Sequence, residues 1–218
     1  MDNLIQALAI YALPVVFAIT LHEAAHGYVA RHFGDPTAWQ MGRISLNPLR
    51  HIDPVGTILV PGLILLMSSM LGGGFLFGWA KPVPVDFSRL RHPKRDMLWV
   101  AAAGPAANLA MLVGWALLYK YGASHPAGLY GAASQAMGQA GILINASLML
   151  LNLLPLPPLD GGRIMVSLLP HRLAWRFAQI ERYGFVILLG LMFTGLLGAI
   201  LSPLMQAFLA LIQSLLNL

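Results

Sequence analysis

His22, Glu23 and His26 are the residues of this 218-residue chain best equipped for chemistry; they stand in HEAAH at 22–26. On a helix, positions four apart differ by about 40° around the axis and by one turn along it, so both imidazoles can reach one ion. Glu23 points about 100° from His22, close to such an ion without having to bind it. Two imidazole ligands with a carboxylate general base beside them are the equipment for metal-assisted peptide hydrolysis. A catalytic zinc takes three protein ligands and keeps a fourth position open, so one ligand must come from elsewhere. The chain has no cysteine, which excludes thiolate ligands, cysteine nucleophiles and disulfides. The acidic residues are Asp2, Glu23, Asp35, Asp53, Asp86, Asp96, Asp160 and Glu181. Asp160 stands apart, in PLPPLDGG at the end of a long uncharged run. Pro155, Pro157 and Pro158 stop the helix before it, and Gly161-Gly162 free the backbone behind it. Two readings of Asp160 stay open on composition: a carboxylate turned inward as the third ligand, or the N-cap of the next helix.

The elements that must carry these groups are apolar. Hydrophobic residues make up 58% of the chain and charged residues 10%, against about 25% charged in soluble domains. Too little polar surface remains to clothe a soluble protein, which argues against a soluble metalloprotease, and the bilayer is the solvent that accepts this composition. Residues 3–30 read as one apolar helix with Pro14 as a candidate kink, and HEAAH falls toward its C-terminal end. Ionisable groups within a span are functional candidates by default; the bland alternative is a polar cluster reaching the interface by snorkelling. Further spans are expected at 97–119 and 137–154. Residues 184–217 are apolar, with a break expected at Ser202-Pro203. Gly104, Ala106 and Ala107 suit close helix packing. Residues 55–71 either span or are re-entrant, and the glycine- and proline-rich stretch at 72–87 favours extended or re-entrant backbone over helix.

The formal net charge is +5. The basic residues lie between apolar runs and form no single patch, so nucleic acid is not an expected partner. Segments 31–54, 81–95 and 163–182 hold all of the lysine and arginine except Lys120. The positive-inside rule therefore places these three segments in the cytoplasm, with the N-terminus and a 120–136 loop outside. Asp2 and the lack of an early basic residue argue against a cleaved signal peptide.

Three motifs together carry a resemblance. HEAAH at 22–26, AGPAAN at 103–108 and NLLPLPPLDGGR at 152–163 resemble the three signatures of the site-2 protease family, the M50 intramembrane zinc metallopeptidases. GRISLNPLRHIDPVGT at 42–57 and FGWAKPVPV at 77–85 resemble its compact bacterial and archaeal branch, which lacks PDZ and CBS domains. The resemblance implies one Zn2+ per chain held by His22, His26 and Asp160, and Glu23 as the base that activates water. Asn152 matches an asparagine implicated in positioning substrate or stabilising the tetrahedral intermediate. Asn108 matches a position that is structural or substrate-facing. The 72–85 stretch loosely matches a membrane-associated extended segment able to pair with an unwound substrate. For His51 and Asp53, a role behind a metal ligand competes with a polar turn before Pro54.

The expected fold is an all-α polytopic membrane protein of one domain over 1–218, with a core at 3–170, a C-terminal helical segment at 184–217, and about four to six membrane helices. The expected activity is hydrolysis of peptide bonds within or near transmembrane segments of membrane proteins. The expected location is a prokaryotic cell (inner) membrane, crossed several times. The partners are a transmembrane substrate and the lipid bilayer. The alternative is a catalytically inactive metal-binding membrane protein or a transporter, although no internal repeat supports the latter. Substrate, pathway and oligomeric state are not written in the sequence.

Overall fold

A chain this apolar can satisfy its backbone in a bilayer only through helices or a closed barrel. The computed structural model describes residues 2–59 and 80–217, and it takes the helical solution, with no strand among the described residues. The long helices are α1 (Asp2–His32), α3 (Pro93–Ser124), α4 (Gly131–Asn152) and α8 (Leu196–Leu216); α2 (Thr37–Gln40), α5 (Asp160–Leu168), α6 (His171–Ala178) and α7 (Glu181–Phe193) are shorter. Leu8–His32, Pro93–Ser124 and Leu196–Leu216 are each long and apolar enough to cross a membrane. The protein is an all-α membrane protein. The fourth long helix, α4, has 22 residues but carries Gln135, Gln139, Asn145 and Asn152. It packs on α3 and α1, which bury Asn145 fully, while Gln135 and Asn152 are half-buried and Gln139 is exposed.

α1 and α3 run antiparallel: His26 meets Val100 near one end and Ala18 meets Asn108 deeper in. Asp35 Oδ1 accepts from Thr37 N–H at 3.0 Å and Oδ2 from Asp86 N–H at 2.7 Å, which ties the end of α1 to the entry of α3. Ala30, Leu90 and Val100 form a small core there, with Phe33 and Phe87 against it. The Ser88 hydroxyl and N–H hold the Asp86 carboxyl below the usual carboxylate range. α3 and α4 are antiparallel neighbours joined by residues 125–130. Their approach is set by glycine. A Cβ on Gly138 would lie 2.7 Å from Tyr119 Cα, and one on Gly122 would lie 2.9 Å from Gln135 Cα. Small residues therefore govern this contact, and of the small residues expected to suit close packing, Gly104 does so against α1. Ala106 faces outward and Ala107 is half-buried, while Gly104 lies over the histidine rings described below.

Three expectations change against the structure. The outer loop is 125–130 rather than 120–136, because α3 and α4 both extend into that region. The helix expected at 137–154 begins at Gly131 and ends at Asn152. The C-terminal apolar region breaks at Thr194-Gly195, where Gly195 takes the left-handed conformation (φ 76°) that ends a helix cleanly. Pro203 lies inside α8; proline is tolerated in a membrane helix where neighbouring groups make up for the lost hydrogen bond. The span or re-entrant segment at 55–71 and the extended stretch from 72 fall mostly outside the described residues. Of them, Pro54–Leu59 forms a turn of π-helix and residues 80–86 are non-helical.

Candidate metal centre

The α1 helix carries HEAAH within its membrane-crossing stretch, so His22 and His26 project from successive turns of one face. Their rings meet edge to face, with centroids 4.7 Å apart. Asp160 reaches them from the first turn of α5. That turn closes tightly on the loop after α4: a Cβ on Gly161 would lie 2.5 Å from Leu153 C, and one on Gly162 2.6 Å from Leu156 C. The glycine pair is needed for room beside the loop backbone, not for a left-handed conformation, since neither has a positive φ. Leu159 occupies the N-cap of α5 and Asp160 is its first helical residue, so Asp160 is not the cap. The helix N-terminus still favours a carboxylate there.

The three groups converge. His22 Nε2 lies 3.2 Å from Asp160 Oδ2, His26 Nε2 lies 3.4 Å from the same oxygen, and the two Nε2 atoms are 3.1 Å apart. All three residues are buried. The other ring nitrogens decide what these short distances mean. His26 Nδ1 is 2.7 Å from the Val100 carbonyl oxygen, which can only accept, so Nδ1 carries the proton and donates. His22 Nδ1 is 2.5 Å from Asn108 Oδ1, also an acceptor. With both rings neutral, each Nε2 then presents a lone pair, and Asp160 Oδ2 is buried without a hydrogen-bond partner. Three electron pairs facing one another at 3.1 to 3.4 Å repel unless a cation lies among them.

The spacing fits such an ion. Tetrahedral zinc with bonds of 2.0 to 2.2 Å sets its ligand atoms about 3.3 to 3.5 Å apart. Gly104 keeps the space beside them open, since a Cβ there would lie 2.5 Å from His22 Cε1 and 2.6 Å from His22 Nε2. Among the described residues, His22, His26 and Asp160 form the one group of three or more such side chains able to hold a metal ion.

Glu23 is half-buried beside this cluster. Its Oε2 accepts the Val83 N–H at 2.7 Å. The non-helical segment 80–86 thus crosses α1 at the level of the site, with the side chains of Val83 and Ile44 over Gly27. Lys81 N–H donates to the His51 carbonyl at 2.9 Å, and the Arg43 guanidinium donates to the carbonyls of Lys81 and Pro82, which pins the segment.

Comparison with known proteins agrees with this geometry. The family model for peptidase family M50 matches residues 129–194. The chain is 39% identical over 199 residues to "Putative zinc metalloprotease YwhC" of Bacillus subtilis, covering 89% of this chain and 85% of that protein. The chain belongs to peptidase family M50, the site-2 protease family. Two mycobacterial M50 relatives, both named "Putative zinc metalloprotease Rip2", are more distant. That of Mycolicibacterium smegmatis is 30% identical over 82% of this chain and 64% of its own length; that of Mycobacterium tuberculosis H37Rv is 31% identical over 79% and 62%. No solved structure matches the chain.

The other sequence candidates of this M50 chain take varied places. The Asn152 amide, at the end of α4, donates to the Leu148 carbonyl at 3.0 Å, one turn back on its own helix. Asp53 Oδ1 accepts from Val55 N–H at 3.0 Å and Gly56 N–H at 2.7 Å, the polar turn before the π-helical segment. His51 is buried and bonds through Nε2 to the Ser45 carbonyl at 2.8 Å. The groups behind the two histidines are instead Asn108 and the Val100 carbonyl. The GPxxN spacing flagged Asn108 without assigning its partner. The backbone of Val100 and the side chain of Asn145 left no sequence signal, because any residue supplies a carbonyl and a lone asparagine in a helix reads as packing.

Proposed function

We propose that the chain is a zinc metalloendopeptidase that hydrolyses peptide bonds within or near transmembrane segments of other membrane proteins. The observation that carries this reading is the trio of outward-facing lone pairs on His22, His26 and Asp160, each ring fixed from behind by an acceptor. Two imidazoles and a carboxylate suit zinc among the common metals. The bound zinc would supply a Lewis acid that lowers the pKa of water and polarises the scissile carbonyl. Glu23 would take the proton from the attacking water and pass it to the leaving amine. Its bond from the Val83 N–H orients one carboxylate oxygen and leaves the other for this exchange. Asn152 would position substrate or stabilise the oxyanion once its amide leaves the Leu148 carbonyl.

The depth of the site supports a membrane substrate. His26 and His22 lie six and ten residues before the end of α1 at His32, about 9 to 15 Å along the axis. A helical substrate shields its carbonyls, so glycine or proline near the cleaved bond should speed cleavage by easing local unwinding. The protein would sit in a prokaryotic cell membrane, crossing it several times. The deciding experiment compares wild type with Glu23→Gln, each co-expressed with a model membrane substrate. The expected result is retained zinc and lost cleavage in the variant. Cleavage at the wild-type rate would end this reading.

A further inference from the structure

Behind His22 lies a buried chain of two amides, of which only Asn108 entered the reading above. Asn108 on α3 and Asn145 on α4 are both fully buried. Asn145 Nδ2 lies 2.8 Å from the Gly141 carbonyl, which only accepts, so the amide must present its NH2 there and its oxygen to Asn108. Asn108 Nδ2 donates to Asn145 Oδ1 at 3.0 Å and to the Ala18 carbonyl at 3.2 Å. Only Asn108 Oδ1 is then left for His22 Nδ1. Neither amide can flip without setting acceptor against acceptor. The direction of the chain is imposed from α4 and ends at the ring nitrogen of His22.

We infer that Asn145 is a positioning residue for the metal ligand His22, acting through Asn108. Resting on the metal-centre reading above, this assigns Asn145 the task of keeping the His22 proton on Nδ1, so that Nε2 keeps its lone pair for the cation. If Asn145 no longer accepts, one Asn108 N–H is orphaned in the interior. A flipped Asn108 would offer NH2 to His22 and favour the opposite tautomer. That tautomer places a proton on Nε2, where it would bond Asp160 and exclude the metal.

The test uses the full chain in detergent micelles, with zinc affinity measured by chelator competition and the ligand field by the visible spectrum of the Co2+-loaded protein. Asn145→Leu matches the volume and removes the acceptor. Asn145→Asp, protonated in this interior, keeps an acceptor for Asn108 and an O–H donor for Gly141. The Leu variant should bind zinc about 10- to 100-fold more weakly, with an altered Co2+ spectrum. The Asp variant should stay within a few-fold of wild type with the wild-type spectrum. If Asn145→Leu does not yield monodisperse helical protein, Asn145→Ala replaces it with the same expectation. Wild-type affinity in the acceptor-less variant overturns the inference, as does equal weakening in the Asp variant. Wild-type protein that binds neither metal would overturn the metal centre itself, a separate outcome.

Discussion

Gly104 is the residue where a single methyl group would test the geometry of the centre most directly. Its missing Cβ leaves room beside His22 Cε1 and Nε2 and His26 Nε2. Neither ring can retreat cheaply, because Nδ1 of each is held, by Asn108 Oδ1 in one case and the Val100 carbonyl in the other. Gly104→Ala should therefore weaken zinc binding about tenfold or more, while helix content stays as in wild type. Chelator competition checks it, and an unchanged affinity would show that the rings are free to move. Much at this scale was legible in the sequence. The HEAAH spacing points to two ligands on one helix face, and the isolation of Asp160 among prolines and glycines marks it for attention. What holds the rings was not legible, since the hydrogen bonds from His26 to the Val100 carbonyl and from Asn108 to the Asn145 amide oxygen depend on the register of three helices.

At the scale of elements, segment 80–86 is the piece that joins the site to the loops around it. It is fixed at Lys81 by His51, at Lys81 and Pro82 by Arg43, and at Asp86 by Asp35, with the Val83 N–H on Glu23 between these ties. Pro82 and Pro84 already hold the backbone extended, so a third proline is compatible with its course. Val83→Pro removes the one donor to Glu23 among the described residues. Zinc affinity should be unchanged while cleavage falls about tenfold or more, as expected when a general base loses its orientation. Val83→Ala, which keeps the N–H, should retain most of the activity. Equal rates in the two variants would show that the Val83 bond does not orient the base. The sequence pointed to extended backbone here through its alternating prolines. It misplaced the ends of α3 and α4 and the C-terminal break, because a weakly charged stretch such as 120–136 continues a helix wherever its neighbour supplies packing. Gly122 against Gln135 is that packing.

Across the whole molecule, the basic segments gather at one end of the bundle. Arg91 N–H donates to the Phe33 carbonyl, Lys94 Nζ bonds the Leu169 carbonyl, and Arg43 reaches Lys81 and Pro82, so 31–54, 81–95 and the start of 163–182 lie together. The opposite end holds residues 125–130 and the end of α8, where Lys120 Nζ donates to the Leu216 carbonyl at 2.9 Å. The all-α membrane fold was readable from composition because backbone in lipid has few alternatives. The clustering of the basic segments was implied by charge alone, since lysine and arginine are retained on the cytoplasmic side. The absence of cysteine makes the orientation directly measurable. Leu129, Leu49 and Trp175 are 87%, 72% and 67% exposed, so each accepts a cysteine without disturbing the core. A membrane-impermeant thiol reagent should label Leu129→Cys in intact cells, and should label Leu49→Cys and Trp175→Cys only after the membrane is opened. The reverse pattern would invert the orientation, and labelling of all three in intact cells would remove the barrier between the two ends that a multi-pass arrangement requires.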